Sequence, residues 1–271
     1  MKFKTIQPAN NIPVPDRYNT VVKSNDLIQR SRFSLSVQQQ KIILFVISQI
    51  EPYDEDFKLY EFEITEFCKV CGIEPHGDMY TLLKKQIKEI SDKSLWIELA
   101  DGTETVVRWI EKPYMSKKDG TIKIKLDEDM KPYPLQLKER FTEYDLIYTL
   151  NFKSKYSIRL YEYLKSIHFT KTQEYRQTIA IDKFQKLLNS DYEDFKDFHT
   201  RVLKPAHKEI NTYSDIHFEY SLIKEGRKIV AIVIMIETKE IADRLRITCE
   251  NERLLDEKNN FNQKEKGLSY E

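Results

Sequence analysis

The chain's 271 residues, 40% of them hydrophobic and 12% aromatic, suffice for two packed domains at about 100–200 residues each. Its 44 basic and 44 acidic side chains cancel, so a polyanionic partner would have to meet a local segregation of charge rather than a global field. Only six glycines occur, no G-x-G-x-x-G is present, and Asp78-Met79 follows the single G-x-x-x-x-G (Gly72 to Gly77) where a phosphate loop needs lysine, which excludes dinucleotide binding and nucleotide hydrolysis.

Residues 1–22 form an arm. Met1 to Asn11 is polar and lacks the apolar core of a secretory signal, and Pro8, Pro13 and Pro15 interrupt any periodicity, so a cytoplasmic location is expected. A helix opens at Ser36, with Gln39 completing a capping box, and runs through Ile42, Ile43, Phe45, Val46, Ile47 and Ile50 to Glu51-Pro52. Leu59 to Ile64 alternates as a strand. Thr65 caps a short helix that Gly72 stops, and a longer helix spans about Asp78 to Asp92. Leu95–Leu99 and Thr105–Ile110 around Asp101-Gly102 make a hairpin, packed by Trp96 and Trp109, and Ile122–Leu126 adds a strand. Pro132 and Pro134 mark a hinge.

The second half repeats this order. A helix spans Ser154 to Ile167, a strand Tyr175 to Ile181, and a short helix is capped by Asp182 with Gln185 as box partner. A long helix covers about Asp194 to Tyr213. A hairpin then runs from Ile216–Ile223 through Glu225-Gly226-Arg227 to Ile229–Ile236. The charged tail from Lys239 begins as a helix and frays. The longest apolar runs, Ile42–Ile47 and Ile229–Ile236, fall far short of the ~20 residues that span a bilayer.

Four blocks align in order between the halves. Ile50 matches Ile167, and Ile64-Thr65-Glu66-Phe67 matches Ile181-Asp182-Lys183-Phe184, both at an offset of 117. Leu82-Leu83-Lys84 matches Val202-Leu203-Lys204, and Ile87 to Ile90 matches His207 to Ile210, at an offset of 120. Helix, strand, short helix, turn, long helix and hairpin is the helix-turn-helix plan with a wing. The fold class is therefore α+β, with two tandem winged-helix domains related by internal duplication. The expected boundaries are 1–22 for the arm, 23–138 and 139–238 for the domains, and 239–271 for a polar tail.

Such a unit presents the outer face of its long helix to a major groove, with wing strands reaching flanking phosphates or the minor groove. At about 100° per residue, the second long helix has an apolar stripe of Phe195, Phe198, Val202, Ala206, Ile210 and Tyr213. Arg201, Lys204, Lys208 and Asn211 fall opposite, with Asp197 among them and Thr200 at the border. Arg reads guanine and Asn adenine bidentately, while Lys supplies a point charge. The first long helix has Leu82, Leu83, Ile87 and Ile90 inward, with Thr81, Lys84, Lys85, Lys88 and Asp92 opposite. A basic helix face is also ordinary solvated surface. In favour of contact, Lys153 to Lys208 holds twelve basic against seven acidic residues in a neutral chain. Pro205 should bend or restart the helix near Lys204. Lys153, Ser154 and Lys155 open a helix whose free amides suit a phosphate, although capping explains Ser154 equally well. Arg227 and Lys228 at the hairpin turn are wing contacts or turn solubilisers.

Cys68-x-x-Cys71 with His76 resembles metal ligands superficially, but a structural zinc site needs four, Cys249 is remote, and Cys68 fits the apolar pattern of its helix. Three cysteines fit a reducing compartment. A nicking enzyme would need a His-x-His pair, and histidines 76, 168, 199, 207 and 217 provide none. No catalytic residue, metal or cofactor is expected.

With these residues laid out, the chain resembles the plasmid replication initiators built from two winged helices, of the RepE/RepA/RepB type. The resemblance rests on Val22-Lys23-Ser24-Asn25-Asp26-Leu27-Ile28 leading to Leu35-Ser36 and Gln39 to Ile42. It rests also on Lys153 to Leu164, and on Arg201 to Ala206 with Lys208 to Asn211 and Gly226-Arg227. It implies a non-enzymatic bacterial cytoplasmic protein that binds directly repeated origin sites (iterons) in double-stranded DNA as a monomer. It further implies a homodimer through domain 1 that represses the initiator's own gene, with a host replication initiator and replicative helicase as partners and no membrane contact. The C-terminal winged helix is the implied main base reader. A winged-helix transcriptional regulator would read DNA in the same way, and a protein-interaction module is the non-DNA alternative.

Overall fold

The computed structural model describes residues 14–266 except 52, 74–76, 136, 138–139 and 169–174, and side chains only as far as 259. The arm's first thirteen residues and His76 therefore lie outside the described residues.

The first half opens with β1 (Thr20–Ser24), α1 (Asn25–Arg30) and β2 (Ser31–Arg32). The capping box starts α2 (Val37–Ile47): Ser36 Oγ accepts from Gln39 N, and Gln39 Oε1 accepts from Ser36 N. Every residue from Ile42 to Ile47 is buried, because α2 lies between the two halves. It ends at Ile47 rather than at Glu51, and the Ser48 hydroxyl donates to Phe45 O. Then come β3 (Tyr60–Glu63), α3 (Ile64–Cys71) and α4 (Met79–Ser91). The Thr65 cap is corrected: α3 already begins at Ile64, with Glu63 at the N-cap and no side-chain cap. Gly72 ends α3 in the left-handed region at φ 60°.

Four strands follow: β4 (Ser94–Glu98), β5 (Glu104–Arg108), β6 (Ile110–Ser116) and β7 (Thr121–Leu126). Their pairing corrects the expected wing. The β4–β5 hairpin pairs with β2, whereas β3 pairs with β7 and β7 with β6. The wing of the first domain is thus β6–β7, with its turn at Lys117 to Gly120. Pro113 is tolerated because β6 is an edge strand, where a missing donor costs no ladder bond. Trp109 is buried edge-on against Phe33, while Trp96 is 48% exposed and does not pack the hairpin core.

After β8 (Phe141–Asp145), which pairs with β1, and the short α5 (Ile147–Leu150), the second half repeats the plan. It comprises α6 (Lys155–Ile167), β9 (Tyr175–Ala180), α7 (Ile181–Leu187), α8 (Phe195–Phe198), α9 (Lys204–Tyr213), β10 (Ile216–Glu225) and β11 (Lys228–Thr238). Its sheet order β10-β11-β9 repeats β6-β7-β3, as the duplication requires. Ile64 and Ile181 each open the short helix, and Gly72 and Asn189, again 117 apart, each turn left-handed after it (φ 60° and 47°). The Asp182–Gln185 box is corrected too. Ala180 is the N-cap, and Gln185 Nε2 instead donates to Tyr192 O at 3.0 Å. Asp194 caps α8, accepting from Lys196 N and Asp197 N. Between α8 and α9, His199–Leu203 winds as a π turn, which brings the chain to Pro205 at the start of a fresh α-helix.

Among the described residues the tail is one continuous helix. α10 (Ile241–Lys266) is a helix of 26 residues that folds back against α3, α5 and α9.

The halves share one hydrophobic core and a polar seam. Lys23 Nζ meets Glu162 Oε1 at 2.6 Å, both buried, and Tyr144 donates to the same oxygen. Buried Arg159 donates to Ser31 O (2.8 Å) and Leu187 O (2.9 Å), and lies over the Phe33 ring. Lys41 donates to Leu150 O at 2.5 Å, and burial pushes its ammonium down to about 8. Because the unfolded chain keeps that proton above pH 8, Lys41 costs stability at neutral pH and the cost lifts as pH rises toward 10.5. Urea midpoints of wild type and Lys41→Met should therefore shift relative to each other in the wild type's favour between pH 7.5 and 9.5. A pH-independent difference would place the ammonium in solvent.

Candidate nucleic-acid interface

In the second domain, Phe198, Val202, Ala206 and Ile210 are fully buried and anchor the long helix to its core. Thr200, Arg201, Lys204 and Lys208 stand exposed on the opposite side, as the helical phase predicts. Leu203 is buried as well, which the simple phase omitted, because the π turn offsets the residues before Lys204. The Arg201 side chain is 62% exposed, lies 5.8 Å from the Tyr192 ring and 3.5 Å from the exposed carboxylate of Asp197. An ion pair this wet is worth little and yields readily to a phosphate or a guanine edge.

Three assigned residues are redirected. Asn211 is no free base reader. Its Nδ2 donates to Phe218 O and its Oδ1 accepts from Phe218 N, both at 2.9 Å, clamping α9 to the wing. The amides at the start of α6 are also taken: Glu209 accepts from Lys153 N at 3.1 Å and from Ser154 N at 3.3 Å. An internal carboxylate thus fills the expected phosphate site, and Ser154 Oγ simply caps Tyr156 N. The Lys155 ammonium meets Asp191 at 3.0 Å and lies over the Tyr156 ring, while the Lys153 side chain stays exposed. Arg227 and Lys228 are exposed at the wing tip, where Gly226 takes φ 60° to close the turn.

In the first domain Met79, Leu83, Ile87 and Ile90 are buried, and Lys84, Lys85 and Lys88 are exposed. Leu82 is 40% exposed and leaves the apolar stripe. Lys88 pairs with Asp92 at 2.5 Å, in solvent. The corrected wing adds cations that sequence reasoning missed: Lys112 beside the exposed Tyr114 ring, and Lys117 and Lys118 at the tip. Their signal was the Lys117-Lys118-Asp119-Gly120 turn, a strong hairpin motif.

Burial pushes the Cys68 thiol up to about 11 and the Cys71 thiol up to about 12, as expected of cysteines packed in the apolar face of α3. Among the described residues no group of His, Cys, Asp and Glu could hold a metal ion, and no helix is long and apolar enough to cross a membrane.

Two winged helices with matching strand order thus carry exposed basic helix faces. The family described as Initiator Replication protein, WH1 matches residues 20–165, and Initiator Rep protein, WH2 matches residues 180–236. The chain belongs to the replication initiator family. A "Replication initiation protein" of Escherichia coli is 29% identical to this initiator over 226 residues, covering 80% of the chain and 69% of the relative. The crystal structure of Pi initiator protein in complex with iteron DNA shares its fold, with a TM-score of 0.70 at 20% identity over 83% of this chain and 99% of that one.

Proposed function

We propose that this initiator binds directly repeated iterons in its origin as a monomer, with α4 and α9 in successive major grooves of one duplex face. The observation that carries this is the repetition of one architecture: both long helices are anchored by an apolar stripe and turn lysines or arginine outward, beside a basic wing tip. That the Pi initiator, which shares the fold, is solved with iteron DNA supports the choice of site. Arg201, Lys204 and Lys208, with Thr200 at the border, form the main reader. Lys84, Lys85, Lys88 and the wing lysines hold phosphates. Arg227, Lys228 and Lys153 flank the second groove. The initiator does no covalent chemistry, and the host initiator and helicase are its partners at the opened origin.

Replacing Lys84 and Lys88 together with alanine should lower the slope of log K against log salt by up to about two units, if each meets a phosphate. Filter binding at several salt concentrations measures this. An unchanged slope assigns that face to solvent.

The same chain, as a homodimer through domain 1, represses its own gene. The exposed edge of β5 supports this surface, with Val106 (44% exposed) paired across to Trp96. Val106→Lys should move the protein toward monomer in sedimentation at micromolar concentration, with iteron affinity kept. A dimer that persists would put the contact elsewhere.

A further inference from the structure

α10 lies outside both winged helices, yet its inner stripe of Ile247, Asn251, Leu255 and Asn259, spaced four apart, engages both. At one end it holds the carbonyls that close α3, the helix before recognition helix α4. Fully buried Arg17 donates to Val70 O (3.1 Å) and Lys69 O (2.8 Å), and its third nitrogen meets Asp256 at 2.8 Å. Asn259 Nδ2 donates to the same Lys69 carbonyl at 3.1 Å. Leu255 is pressed onto Gly72 so closely that a Cβ there would sit 2.6 Å from Leu255 Cδ2. At the other end, Asn251 Nδ2 donates to Tyr213 O, the last residue of recognition helix α9, at 2.8 Å. Between them, Asn151, in the connection from α5 to α6, donates to Asn251 and accepts from Lys258 at 2.7 Å.

Two domains move relative to each other unless their interface is large and apolar. Here a shared core and a polar seam already join the halves, and α10 adds a second tie that reaches the end of α9 and the end of α3, the helix before α4. A two-headed reader gains affinity only when its heads already match the spacing of their sites. We propose that α10 is a brace: Asn251, Leu255 and Asp256 fix the distance and rotation between α4 and α9, and so select the half-site spacing that the initiator accepts. The spacing clause rests on the two-helix reading of DNA proposed above; the brace itself does not.

Two measurements separate these. In a Cys249→Ser background, spin labels at Thr81→Cys on α4 and Thr212→Cys on α9 report the distance between the helices in the absence of DNA. A narrow distribution is expected, broadened at least twofold by Leu255→Ala or by Asp256→Ala. Should Leu255→Ala fail to fold, the smaller truncation Leu255→Val, which leaves the Arg17–Asp256 pair intact, carries the test. An unchanged distribution overturns the brace.

The second measurement compares binding to an iteron with binding to one carrying two extra base pairs at its centre, which rotates one half by about 70°. The unlabelled wild type should lose at least tenfold in affinity, and the brace variants less than threefold. Variants with the wild-type spacing preference overturn the selection of spacing. A wild type that binds neither site overturns the two-helix reading, and the label distances still decide the brace.

Discussion

Glu162→Ala is expected to lower the unfolding free energy by about 3–5 kcal/mol, because removing one partner of a buried ion pair leaves the other charge without compensation. Lys23 and Glu162 side chains are 5% and 3% exposed, and Glu162 also accepts from the buried hydroxyl of Tyr144. The alanine variant therefore strands an ammonium and a phenol on the buried seam between the halves. Lys23→Met with Glu162→Leu should cost much less, since a buried pair exchanged for apolar groups of similar volume is often neutral. Urea unfolding at pH 7 measures both. A single-variant cost below about 1 kcal/mol would mean that the seam is wet.

Arg201→Ala should cost about 1–3 kcal/mol on the specific site, roughly 5- to 150-fold in affinity, and relax discrimination at one base position. The expectation follows from its anchoring on a helix whose inner side is fully buried, with only the exposed Asp197 carboxylate competing. A bidentate guanidinium carries base information, whereas Lys204→Ala should weaken all duplexes alike. Binding to a library of single-base variants distinguishes these. Equal loss on every sequence after Arg201→Ala would reassign that side chain to phosphate.

Much of the architecture was legible because the duplication is written in local signals. Ser36 with Gln39, Gly72, and the stripes ending at Ile90 and Ile210 each specify their own element, and the 117 offset joins Ile64 to Ile181. The first wing was misplaced for a physical reason. An offset of 120 carries Ile216 back to Trp96, but an inserted hairpin, β4–β5, occupies that place and the true counterpart is β6. Its Pro113 also breaks the strand pattern that would have revealed it.

The tail was hidden differently. Its inner stripe is half asparagine, and those amides are satisfied by Tyr213 O and Lys69 O far away in sequence, which composition does not register. The site residues show the same limit. Residue type and phase placed Arg201, Lys204 and Lys208 outward. They did not tell a base-reading asparagine from Asn211, which clamps Phe218, or a free helix start from one filled by Glu209.

Joint gripping of one duplex by the two basic helix faces is open to hydroxyl-radical footprinting of the wild type on the DNA flanking its own gene. Directly repeated protected blocks are expected, each with two patches on one duplex face about 10 base pairs apart, centre to centre. A single patch per block, or no protection at about 50 mM salt, where phosphate contacts are strong, would rule out joint gripping.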